Sequence, residues 1–260
     1  MKKPNPKSKS DAPKKPSCLW LDELSTTEAQ QAAKAGAVVI FPVGSVEEHG
    51  KHLPLCTDSL EAEYTALEVA EKTGCLVAPP FRHGICNAGR NFPGTISIEF
   101  DTLYRVARDV LSELVRNGFC RIIVLSGHAG QSHMVALRMA AQNVVLQNEG
   151  AGAERKTRIM VLSDFDFAFE LRGKEFSEKD GHAGTIETSR MMAIKPELVK
   201  GKGEASFPQM PRFEVVAHPE QYFPSGVMGD PTAASESKGR LINKYVIEQV
   251  AKLVEELASN

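Results

Sequence analysis

Three short stretches of this sequence gather imidazole and carboxylate groups at spacings that suit metal chemistry. The first is Gly44-Ser45-Val46-Glu47-Glu48-His49-Gly50, running on to Asp58. In extended chain, residues two apart face the same way. Glu47 and His49 are therefore expected to present a carboxylate and an imidazole to one point, with Glu48 turned away. Asp58 is expected to open the next helix, where its carboxylate faces the positive helix end and could bridge two ions. Carboxylate with imidazole suits zinc, manganese or iron; an all-oxygen set would suit calcium or magnesium. The simpler alternative is a polar loop with Asp58 as a helix cap.

The second stretch is Ser126-Gly127-His128-Ala129-Gly130-Gln131. Glycines on both sides of a histidine let the backbone approach a ligand closely. A phosphate-cradling turn or a merely structural histidine are the alternatives, and no P-loop Lys-Ser/Thr pair supports the former. His133, one turn further on, is not counted in the site. In the third stretch, Asp180-Gly181-His182-Ala183-Gly184-Thr185-Ile186-Glu187, His182 and Glu187 lie five apart across a glycine-containing turn and can share a cleft. Its simpler reading is a helix capped by Asp180 or Thr185.

Such side chains need a rigid frame. Residues 37–43, 75–78, 120–125 and 158–162 are short apolar runs, the pattern of strands buried on both faces. Helical periodicity is predicted over 21–35, 58–73, 102–117, 132–148 and 186–193, with a long terminal helix inside 231–257. Ser25 to Glu28 reads as a capping box and Gly36 as a stop. Strands alternating with helices predict an α/β fold with a mostly parallel sheet covered on both faces. Ligands then sit beyond the carboxyl ends of strands, where the first two stretches fall.

Composition excludes several function classes. A net charge of -2 gives no basic excess for nucleic acid. No apolar run approaches the ~20 residues of a membrane span. Residues 1–17, rich in Lys, Pro and Ser, are expected to form a disordered basic arm without a signal-type apolar segment. Residues 18–260 are expected to form one domain. Five scattered cysteines match no disulfide framework, and the default compartment is the cytoplasm.

Taken together and in order, these segments resemble the creatininase (creatinine amidohydrolase) family. The residues that carry the likeness are Pro42 to Gly50 with Leu53-Pro54-Leu55 and Asp58; Phe92-Pro93-Gly94-Thr95; Ser126 to Gly130; His182-Ala183-Gly184 with Glu187-Thr188-Ser189; and Gly229-Asp230-Pro231-Thr232 with Ala234-Ser235. The resemblance implies a three-layer α/β/α sandwich and a homo-oligomer, often hexameric. It also implies two divalent ions per chain (zinc, manganese or iron), hydrolysing a cyclic or linear amide through a hydroxide held between them. It puts Glu47, His49, Asp58 and His128 at ligand positions, with Asp58 bridging. His182 takes the place of an acid/base histidine. Gly130 stands where creatininase has a carboxylate, so one ion would be a ligand short unless Glu187 or water completes its set.

Other departures bear on substrate. Creatininase encloses its substrate with tryptophans and a tyrosine, but the only Trp here is Trp20, and Ala129 replaces an aromatic. Cys86, Ala88 and Gly89 stand where relatives commonly have a Ser and a Glu-His pair. Creatinine itself is therefore not the expected substrate. Arg82, His83, Asn87 and Arg90 point to a small polar or anionic one. The leading expectation is an amidohydrolase acting on a small cyclic amide, a formamide or a peptide end. The alternatives are a ring-opening hydrolase of an oxidised cyclitol and a non-catalytic metal- or nucleotide-binding protein.

Overall fold

The four apolar runs pair into one parallel sheet. In the computed structural model, which describes residues 19–149 and 156–259, the strands are β1 (Val38–Val43), β2 (Leu76–Val77), β3 (Arg121–Ser126) and β4 (Arg158–Ser163), in the order β2-β1-β3-β4. Register is continuous, with Val43 opposite Ser126 and Ser126 opposite Ser163, so three strands end in line along one edge.

Among the described residues, seven α-helices precede, connect or follow the strands: α1 (Thr26–Ala35), α2 (Thr57–Thr73), α3 (Phe100–Arg116), α4 (Gln131–Asn148), α5 (Phe165–Ala168), α6 (Thr185–Ile194) and α7 (Glu236–Ser259). Strand side chains alternate between two cores, because successive residues point to opposite faces. Val38, Ile40, Ile123 and Leu125 pack with residues of α2, α6 and α7. Val39, Phe41, Ile122 and Val124 pack with α1, α3 and α4. Each fully buried aliphatic side chain contributes roughly 1.5–3 kcal/mol. The result is the three-layer sandwich expected, its sheet parallel throughout among the described residues.

Differences lie at the helix ends. Leu21–Glu23 is a separate 3-10 turn, and α1 starts later because the Ser25 hydroxyl accepts from the Glu28 N–H while the Ser25 N–H donates to Glu28 (2.8 Å). Pro231 begins a 3-10 turn, Pro231–Ala233, with the Asp230 side chain accepting from the Thr232 N–H (3.0 Å), and α7 starts only at Glu236. The short α5, continued by a 3-10 turn over Phe169–Leu171, is absent from the sequence reading because four residues carry too little periodicity. The arm expected over 1–17 lies outside the described residues. No described helix is long and apolar enough to cross a membrane.

Candidate metal centre

Asp58, in the first turn of α2, lies at the middle of the polar cluster. Its Oδ1 is 3.0 Å from His49 Nε2, its Oδ2 is 3.0 Å from His128 Nδ1, and the Ser45 hydroxyl donates to Oδ2 (2.6 Å). The two imidazoles therefore address different oxygens of one carboxylate. Each imidazole is oriented from behind. His49 Nδ1 donates to the Glu47 carbonyl (3.1 Å), and His128 Nε2 donates to the Ile85 carbonyl (3.0 Å). A proton held on the outer nitrogen leaves the inner nitrogen as a lone pair, the arrangement of metal-binding histidines. Two lone pairs would then face carboxylate oxygens at 3.0 Å, which is repulsive unless a proton or cation lies between them. This donor set fits divalent ions.

Glu47, after β1, brings Oε2 to 3.1 Å from His128 Nδ1. Glu187, in the first turn of α6, brings Oε2 to 3.8 Å from His49 Nε2 and accepts from the Ala183 N–H. The α6 start is fixed by Asp180, which accepts from the N–H groups of Thr185 (2.7 Å) and Ile186 (2.9 Å), as the capping alternative expected. Ala183 has a φ of 52°, a left-handed conformation that strains a non-glycine residue by about 1–3 kcal/mol and is common at functional sites. Close approach explains Gly127 as well: a side chain there would overlap the Asp58 backbone carbonyl.

His182 lies beside the His49 ring, centroids 4.3 Å apart, with its Nε2 donating to the Glu48 carbonyl (2.8 Å) and close to Glu48 Oε1 (3.2 Å). Glu48 is thus not turned away. Its carboxylate is buried, accepts from the Gly50 N–H (3.0 Å) and lines the cavity over the centre. The alternation rule fails because residues 44–48 lie beyond the end of β1 and are not extended strand. Among the described residues, two groups have three donor atoms within 4.8 Å of one another: Glu47, Cys86 and His128, and His49, His182 and Glu187. All six residues singled out in the sequence thus come together, joined by Cys86, which had been read only as a substrate-side departure.

The charges explain one another. Burial works to raise Asp58, but His49 and His128 outweigh it and hold the carboxyl well below its usual range. Burial likewise works to lower the imidazoles. Asp58 nonetheless pushes His49 up to about 9, Glu47 and Asp58 take His128 well above its usual value, and the Glu48 hydrogen bond with Glu187 brings His182 up to about 10. Protons on the imidazoles thus supply the positive charge this acid cluster requires. Burial and Glu47 push the Cys86 thiol up to about 12, a neutral group and no free nucleophile. His133 is fully buried, with Nδ1 accepting from the Ile85 N–H (3.3 Å) and Nε2 on the Ser126 hydroxyl (3.1 Å); its ring stands edge-on to His128. It supports the site from behind, and its place on the inner face of α4 was the signal available in the sequence.

The cavity over these groups measures about 280 Å³. Its walls include Phe165, Phe169, Phe223 and Met228, so aromatic enclosure comes from phenylalanines, while Trp20 packs against the core beside β2. The four polar residues expected to mark the substrate do not line it. Arg82 pairs with Glu63, Arg90 with Glu99, Asn87 donates to Ser132, and His83 is exposed. That segment offers Ala88 and Gly89 to the cavity, and the arginine there is Arg172, from the far side. A larger concavity of about 930 Å³, lined by Leu21, Leu24, Phe41, Leu114 and Phe119 among others, holds none of these donor groups.

Comparison with known proteins identifies the family. Residues 22–254 match the creatininase family, described as creatinine amidohydrolase. The chain is 28% identical to the creatinine amidohydrolase of Pseudomonas putida over 256 residues, covering 92% of this chain and 96% of that protein. It is 32% identical to the mycofactocin precursor peptide peptidase of Mycobacterium ulcerans over 249 residues, covering 88% of each. A solved structure described as creatininase Mn superposes with a TM-score of 0.83 at 27% identity, covering 92% of this chain and 98% of that one. The chain belongs to the creatininase family of amidohydrolases.

Proposed function

We propose that this chain hydrolyses a C–N amide bond in a small cyclic amide, a formamide or a peptide end, at a centre of two divalent ions bridged by Asp58. Glu47 and His128 would hold one ion and His49 and Glu187 the other. The observation that carries this reading is the division of the Asp58 carboxylate, one oxygen 3.0 Å from each of two oriented imidazoles. Bound there, the ions would polarise the amide carbonyl and make water a nucleophile near neutral pH.

The chain's own residues supply the rest. Glu48 orients His182 through its carbonyl and carboxylate, so the imidazole can carry a proton to the departing nitrogen. Phe165, Phe169 and Phe223 exclude water around the reacting bond. Similarity to a peptide peptidase favours a peptide end among the three substrate classes.

The test separates two residues of one loop. His182→Ala should keep its metal and lose kcat by ~10²–10⁴-fold, the usual worth of a positioned acid–base group. Glu187→Gln should lose about half of the bound metal. Equal metal loss in both variants would make His182 a ligand; undiminished activity in both would remove this loop from the site.

A further inference from the structure

Arg172 is the one side chain in the cavity whose charge has no evident task. It follows the 3-10 turn Phe169–Leu171, and its N–H donates to the Phe169 carbonyl (3.1 Å), so its backbone is fixed. Its guanidinium carbon lies over the Phe169 ring, 3.1 Å from the centroid, which fixes the side chain too. Its Nε is buried and has no hydrogen-bond partner. Arg82, Arg116, Arg190 and Arg240 each pair with a carboxylate within 4 Å, whereas Arg172 forms no such pair among the described residues.

Nearby acids do not explain it. Asp180 and Glu187 act on Arg172 electrostatically, but Asp180 accepts from the Thr185 and Ile186 N–H groups and Glu187 from Ala183. Leaving a buried donor unsatisfied costs about 1–3 kcal/mol, so a fixed, partly buried cation in a reaction cavity calls for an anion. The guanidinium fork matches a carboxylate through two parallel hydrogen bonds.

We propose that Arg172 is an anion subsite that selects substrates carrying a carboxylate beside the scissile amide, as in an N-acylated amino acid or the C-terminal residue of a peptide. This rests on the hydrolase reading above. The cavity, at about 280 Å³, suits a small molecule or a chain end. Its phenylalanine walls would take the apolar part of such a residue, and the Asp58 cluster its amide.

Calorimetry on the metal-loaded protein can test this with glutaramate, which carries one carboxylate and one amide, and the neutral diamide glutaramide, which match in shape and differ by one charge. Wild type should bind glutaramate about tenfold or more tightly, as expected for a charge-assisted pair. Arg172→Gln should abolish that preference and leave glutaramide affinity and metal content unchanged, while Arg172→Lys should keep part of it. In wild type, the 15N resonance of Arg172 Nε should shift with glutaramate and not with glutaramide, a readout that needs no variant. Equal affinities in wild type, no binding of glutaramate, or a preference that survives Arg172→Gln would overturn the subsite. A preference present in a protein that cleaves none of a panel of amides would keep the subsite and sink the hydrolase reading.

Discussion

Glu187 and Arg190 sit one turn apart on α6 and belong to different kinds of charged cluster. Arg190 is fully buried between Glu61 and Asp164, each at an N–O distance of 2.7 Å, and donates to Asn243 (2.9 Å) and Thr65 (3.3 Å). Its partners come from α2, α7 and the end of β4, so it ties the layers together beneath the site. A guanidinium keeps its charge at every accessible pH. Around Glu187 the balancing charges are imidazolium protons on His49, His128 and His182, which can leave. One cluster is closed around a permanent cation, with burial pushing the Glu61 carboxyl well above its usual range. The other has positive charge that a cation can replace, which is what distinguishes a receptor from a structural knot.

The largest effect should follow from opening the closed cluster. Arg190→Met leaves two buried carboxylates without their partner and should lower unfolding free energy by about 3–5 kcal/mol, as for other broken buried pairs. Adding divalent ions should not restore it. Chemical denaturation of wild type and variant, with and without metal, gives the answer. Wild-type stability in the variant would erase the distinction between the clusters.

A smaller effect should mark the exchangeable cluster. The value for His49, about 9 when folded, stands above its ordinary ~6.5, so its protonation stabilises the fold fully below the latter. That contribution is lost as pH rises through about 9. The chelator-treated protein should therefore lose melting temperature over this interval, on the order of 5 °C, while the metal-loaded protein, its imidazoles already neutral, should not. Parallel slopes in the two forms would contradict the exchange of protons for cations.

The strands were legible because they are buried on both faces and read as unbroken apolar runs. The candidate ligand residues could be picked out because motif order along the chain carries family likeness, and the structure brings them together. Contact geometry was less so. Glu48 escaped because strand alternation does not extend past Val43. Arg172 escaped because nothing local links it to a cavity whose candidate donors start at Glu47. Arg82 and Arg90 misled because a charge near a motif in sequence need not face it in space. His133 needed the inner face of α4, and Cys86 needed the packing of a loop without regular structure.

Metal content per chain is the most direct test of the central claim, that Asp58 bridges two ions. Elemental analysis of purified wild type should find close to two divalent transition ions per chain. Asp58→Ala, checked for intact fold, should retain almost none, because the lost carboxylate serves both positions. A variant that keeps its full metal content would contradict the account.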